Sequence, residues 1–191
     1  MKKNAVRQLT ISALLIAMGI IIPMVMPKII IGPASFTLAS HVPLMIAMFF
    51  SPAMAVAVAL GTAFGFLLTT PLIIAARALS HLVFVVLGAF YLQKHPTIVL
   101  DKWKFQGYNL VIALIHTVCE VAVVWLFLGS GNAAGATIDG NFYVFLFGIM
   151  GVGGLVHSLI DYNIAYFVVR SISKVFQIPV IQQARTIMRK S

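Results

Sequence analysis

Acidic residues are scarce. The 191-residue chain has four Asp and Glu against thirteen Lys and Arg, and only 9% of its residues are charged. A soluble domain is about a quarter charged and about half apolar. Here 61% of the residues are hydrophobic and the mean hydropathy is +1.06. So little polar surface excludes a water-soluble fold and points to an all-α integral membrane protein. There is one cysteine, Cys119, so no intrachain disulfide can form. No lysine follows a glycine, which excludes a phosphate-binding G-K-[ST] loop. Any uphill transport must then draw on an ion gradient or on a partner. There is no internal repeat and no second soluble domain.

The net charge of +9 does not describe a nucleic-acid surface. Eleven of the thirteen basic residues fall in three places: Lys2, Lys3 and Arg7; Lys94, Lys102 and Lys104; and Arg170, Lys174, Arg185, Arg189 and Lys190. Clustering of this kind marks the cytoplasmic loops of a polytopic protein, not a groove that tracks phosphates. The first apolar run, Leu9 to Met26, is too long for a signal-peptide core, and no A-x-A site follows it. It reads as a retained helix.

A spanning helix needs about 20 mostly apolar residues. Six such segments are expected, at about 9–26, 36–50, 54–70, 72–92, 108–128 and 142–169. The chain is thus expected to form one six-helix membrane domain over residues 1–191, with both termini cytoplasmic. Pro27, Ser51-Pro52, Thr70-Pro71 and His95-Pro96 punctuate the spans, and a polar loop is expected from Asp101 to Gly107. A Gly/Asn-rich loop is expected from Gly129 to Gly135, continuing to Asn141.

Inside these spans the few polar residues come in pairs. Arg77 and His81 lie four apart on the fourth span, His116 and Glu120 on the fifth, and His157 and Asp161 on the sixth. Residues at i and i+4 share a helix face. His41 on the second span adds a fourth contributor. Counting from the outer ends, Arg77, His41, His81 and Glu120 are expected at similar depth, with His116, His157 and Asp161 deeper.

Two readings stand side by side. Arg77 and Glu120 can form an ion pair that holds two helices together. Alternatively, the whole group can line a pocket open to the outside, as ionisable groups inside spans usually do. So many polar groups converging exceed what helix adhesion needs, which favours the pocket. The His-x-x-x-Glu and His-x-x-x-Asp spacings also put two metal-ligand types on one face. With no third such cluster they are read as carrying no metal, and no cofactor is expected. Intramembrane hydrolysis would need a positioned nucleophile or water, which the residue types do not supply. Gly61-x-x-x-Gly65 is a close-packing motif for helices in lipid. Ala13-x-x-x-Ala17 is a looser one, suited to internal packing or to docking on a separate membrane protein.

Taken together, the length, the six expected spans, the basic cytoplasmic ends and Ala13-x-x-x-Ala17 resemble the substrate-binding S-component of an energy-coupling factor vitamin transporter. The segment from Ile31-Gly-Pro through His41-Val-Pro43 is similar to that family's first external loop and second helix, where a Gly-Pro turn precedes a short helix. The resemblance covers essentially the whole chain. It implies a bacterial plasma-membrane subunit that is not an enzyme. It also implies a vitamin pocket near the outer face, built by helices 4 to 6 and capped by loops 1, 3 and 5. Arg77, His81, Glu120, His41, His157, His116 and Asp161 are its candidate lining. Ala13 and Ala17 would dock on a shared membrane T-component, whose two cytoplasmic ABC-type ATPases supply the energy. Ile21 departs from the small residue often found at the next step. A small heteroaromatic ligand is implied: pyridoxine, the hydroxymethylpyrimidine precursor of thiamin, or niacin. The competing class is a stand-alone ion-coupled secondary transporter, with the His/Glu/Asp layer as a proton relay.

Overall fold

The computed structural model describes residues 2–31, 34–129 and 141–190. Gly32 and Pro33, where a turn is expected, and residues 130–140 of the expected Gly/Asn-rich loop, including Asp139, lie outside the described residues. Helix α1 runs Lys2–Val25. An antiparallel hairpin follows, β1 Lys28–Ile31 paired with β2 Ala34–Thr37, with Ile29 opposite Phe36. Then come α2 Val42–Met48, α3 Pro52–Thr69 and α4 Leu72–Lys94. A 3-10 turn, Pro96–Leu100, leads to α5 Lys102–Gly129. A π-helical stretch, Val144–Gly153, runs directly into α6 Gly154–Ile172, and α7 covers Pro179–Met188.

Among the described residues, five helices are long and apolar enough to cross a membrane: Ala5–Val25, Pro52–Thr69, Leu72–Lys94, Lys102–Gly129 and Val144–Ile172. The expected span at 36–50 is different. Residues 34–37 are strand, and the helix that follows has seven residues, all buried. At 1.5 Å per residue α2 is about 10 Å long, a third of the hydrocarbon thickness. Its apolar character serves a protein interior. Phe49, Met45 and Met48 pack with Phe84, Phe105 and Tyr162 at the centre of the core.

Local chemistry sets most helix ends. Ser51 caps α3, its Oγ accepting from the Met54 N–H at 3.1 Å, with Pro52 at the first helical position. The expected loop from Asp101 to Gly107 is instead the first turns of α5. The Asp101 carboxylate accepts from the N–H groups of Trp103 and Lys104 at 3.0 and 3.2 Å. Those backbone donors, Lys104 first, hold its carboxyl below the usual carboxylate range. Lys102, Lys104 and Gln106 are polar because this end of α5 extends past the apolar zone, not because the chain is irregular. The amphipathic α7 was not expected either. Val180, Ile181 and Ala184 are its buried face.

Both chain ends meet at one end of the bundle. Arg7 Nη2 donates to the Gln177 carbonyl at 3.4 Å, and its guanidinium lies 4.2 Å from the centre of the Phe176 ring. The N–H of Val180 reaches the Phe49 carbonyl at 3.3 Å, and Tyr166 Oη donates to the Val99 carbonyl at 3.0 Å. The short α2 therefore returns the chain from the hairpin end to the α7 end. The GxxxG pair of α3 faces α1: a Cβ added at Gly61 would come within 2.6 Å of Ile16, and one at Gly65 would meet Ile20. These glycines let two backbones approach inside the bundle.

Candidate functional site

The polar residues of the spans converge at the hairpin end of the bundle. α4 presents Arg77 and His81 one turn apart, and both are buried. α5 presents Glu120 between them. Arg77 donates to Glu120 Oε1 from Nε at 3.3 Å and from Nη2 at 3.1 Å, and Nη2 also reaches Oε2 at 3.2 Å. His81 Nε2 stands 3.2 Å from the same Oε1, and His116 Nε2 stands 3.7 Å from it. The ion-pair reading of Arg77 and Glu120 is therefore realised in this structure. The remaining guanidinium nitrogen, Nη1, makes no hydrogen bond among the described residues.

α6 supplies the second carboxylate, with a different task. Asp161 Oδ1 accepts from the Ala39 N–H at 2.8 Å, and Oδ2 accepts from the His41 N–H at 2.9 Å. Oδ2 also contacts His41 Nδ1 at 3.1 Å. Asp161 thereby fixes the turn between β2 and α2, where Ala39 adopts a left-handed conformation with φ of 66°. An alanine rarely holds that conformation without a compensating contact. His157 joins from the same helix, its Nε2 3.4 Å from Asp161 Oδ2 and 3.1 Å from Ser40 Oγ. His116 Nδ1 pairs with Ser158 Oγ at 3.0 Å.

His41 is the pivot. Its ring centre lies 4.8 Å from that of His81, 4.5 Å from His116 and 5.0 Å from His157. The two depth tiers expected from counting turns are thus one connected layer, because His41 contacts Asp161 and packs against His81 and His116, which stand beside Glu120.

A cavity of about 360 Å³ opens beside this layer, at the lower end of the size range for small-molecule pockets. Arg77, His81, His41 and Glu120 form its polar wall, with Ala78 and Leu44 between them. Phe66 and the hydroxyl residues Thr62, Thr69 and Thr70 of α3 and its C-terminal end face them, and Lys28 and Ser35 of the hairpin stand at the side. His116, His157 and Asp161 do not line this cavity; they support His41 and Glu120 from behind. Its walls come from the end of α1, the hairpin, the start of α2 with the turn before it, α3 and α4, with one residue of α5 and none of α6, so the cavity is not the one expected between helices 4 to 6.

No protein-family model matches the chain, and no solved structure does. The niacin transporter NiaX of Lactococcus lactis subsp. cremoris (strain MG1363) is 46% identical over 194 aligned positions, which cover 99% of this chain and 85% of that protein. The chain belongs to the S-component family of vitamin transporters.

This S-component is a multi-pass cell-membrane protein and a transport subunit, not an enzyme. Four of the seven candidate residues read from the sequence reach the cavity. Lys28 and Ser35 reach the cavity only through the hairpin. Thr62, Thr69 and Thr70 carry no site signal in the sequence, because threonines inside apolar runs are indistinguishable from residues that bond their own helix. Thr69 and Thr70 do that as well, donating to the Gly65 and Phe66 carbonyls at 2.8 Å each. Thr62 does not: its Oγ1 is buried without a partner, and that was a signal only the structure could supply. The expected docking pair, Ala13 and Ala17, is exposed on the outer face of α1, while Leu15 and Gly19 of the same helix turn inward.

Proposed function

We propose that this protein is the high-affinity binding subunit of an ATP-driven importer whose cargo is niacin. It would be a single membrane domain that crosses the bacterial plasma membrane six times. The sixth crossing is the hairpin with α2, and both termini are cytoplasmic. The observation that carries the cargo assignment is the 46% identity to a niacin transporter over 99% of the chain. The cavity chemistry supports it. Nicotinic acid carries a carboxylate and a pyridine nitrogen on a flat ring. The free Nη1 of Arg77 and the Lys28 ammonium suit the carboxylate, and the unpartnered Thr62 hydroxyl suits the pyridine nitrogen. Phe66 offers an apolar surface for the ring. With Glu120 already neutralising Arg77, a neutral ligand such as pyridoxine or hydroxymethylpyrimidine is the competitor to test against niacin.

The orientation rests on charge. Arg7, Lys94, Lys102, Lys104, Arg170, Lys174 and Arg185 belong to the end where the termini meet, which is the cytoplasmic side under the positive-inside rule. The cavity then faces outward. Energy would come from two cytoplasmic ABC-type ATPases through a membrane T-component docked on Ala13 and Ala17, whose small exposed side chains allow close helix contact. Uptake of labelled nicotinic acid into cells tests the reading. It should vanish when the ATPases are deleted and survive a proton uncoupler. The opposite pattern would identify a secondary transporter.

A further inference from the structure

On the polar wall of the pocket, we infer that His41, His81 and Glu120, with His116 behind them, form a binding site for one divalent transition-metal ion of the zinc, cobalt or nickel class. One ligand atom from each of these four buried residues lies within 4.8 Å of every other. The finer geometry carries the inference. Two ligands on one tetrahedral zinc ion, each at about 2.0–2.1 Å, stand roughly 3.3 Å apart. His81 Nε2 is 3.2 Å and His116 Nε2 is 3.7 Å from Glu120 Oε1. Three imidazoles on such an ion place their ring centres about 5 Å apart, and here the three separations are 4.5, 4.8 and 4.8 Å, with the rings steeply tilted.

The surroundings are those of a metal site. A ligating histidine usually gives its other ring nitrogen to a carboxylate or another polar group, which fixes the tautomer. His41 Nδ1 is held by Asp161 and His116 Nδ1 by Ser158, leaving each Nε2 as the ligand atom. His116 is 1% exposed, and its Nε2 is buried with no hydrogen-bond partner. An orphaned imidazole nitrogen in a protein interior is costly, and an ion beside it would satisfy it. Arg77 is the opposing charge. Its Nε and Nη2 donate to Glu120 Oε1 at 3.3 and 3.1 Å and Nη2 also to Oε2 at 3.2 Å, so an ion on Oε1 would move the guanidinium onto Oε2, which it already reaches. Imidazole with carboxylate suits zinc, nickel and cobalt, and not calcium or magnesium. The third ligating element, beside α4 and α5, is the turn before α2, which carries His41.

The test uses the full chain without an affinity tag, stripped with a chelator and titrated with Co²⁺ alone, in the absence of any vitamin. One ion per chain should bind saturably, with the intense visible bands of tetrahedral cobalt, and Zn²⁺ should displace it. His81→Ala and His116→Ala should each weaken binding at least about 100-fold, and Asp161→Asn about 10- to 100-fold. His95→Ala, which removes the exposed histidine outside the cluster, should change nothing. Wild-type protein that gives no saturable binding overturns the inference whatever the variants do. Loss in His157→Ala with retention in His81→Ala overturns this ligand set. Because no vitamin is present, a failure here leaves the cargo assignment standing, and a failure to bind niacin leaves this one standing.

Discussion

Replacing Glu120 with alanine would leave Arg77 as an unpaired cation between α4 and α5. Arg77 is 7% exposed and Glu120 3%, so water in the adjoining cavity would replace only a small part of the lost contacts. An arginine near the centre of a membrane helix costs about 2.5–3.5 kcal/mol on insertion scales. Breaking one side of a buried pair costs about 3–5 kcal/mol in soluble proteins. An ordinary hydrogen bond between membrane helices is worth only about 0.6 kcal/mol, so the unpaired charge decides the size of the effect. Glu120→Ala should therefore destabilise the protein by about 3 kcal/mol. The double variant Arg77→Met with Glu120→Leu should recover most of that, because an apolar pair of similar volume replaces a buried ion pair at little loss. Reversible unfolding in mixed micelles, followed by circular dichroism against added SDS, measures both. A loss under about 1 kcal/mol for the single variant, or a double variant no better than the single, would refute the reasoning.

Three further outcomes follow from particular contacts. Gly65→Leu should weaken the α1–α3 packing by about 1–3 kcal/mol, because its Cβ meets Ile20; thermal unfolding in detergent reads it. Ala39→Gly should be neutral or stabilising by up to about 1 kcal/mol at the left-handed position, whereas Ala39→Val should destabilise; paired melting curves separate the two. Ala13→Trp should abolish co-purification with the T-component and leave nicotinic acid affinity unchanged; retained assembly would move the docking surface elsewhere.

How much of this was legible in the sequence varied with the physics involved. α3, α4 and α5 follow from apolar runs bounded by Ser51-Pro52, Pro71 and His95-Pro96, and their observed ends fall close to the expected ones except where α5 begins early. The segment 36–50 is not the continuous helix expected from its hydropathy, which records apolar character and not what covers it. Met45, Met48 and Phe49 face protein instead of lipid. The i, i+4 pairs were visible on each helix, since one-turn spacing is local. What joins them was not. The Asp161 bonds to the backbone of Ala39 and His41 connect residues about 120 positions apart, and they depend on a turn conformation with no sequence signature at alanine. The cavity's position beside α3 was hidden for the same reason: Thr62 reads as one more tolerated hydroxyl until the packing leaves it without a partner.

Isothermal titration calorimetry of the purified full chain with nicotinic acid, repeated with pyridoxine and hydroxymethylpyrimidine, bears most directly on the cargo. Saturable one-to-one binding of nicotinic acid, far tighter than either competitor and lost in Arg77→Ala protein that still elutes as a folded species, is the expected result. Tighter binding of pyridoxine or hydroxymethylpyrimidine, or nicotinic acid affinity untouched by Arg77→Ala, would contradict the account.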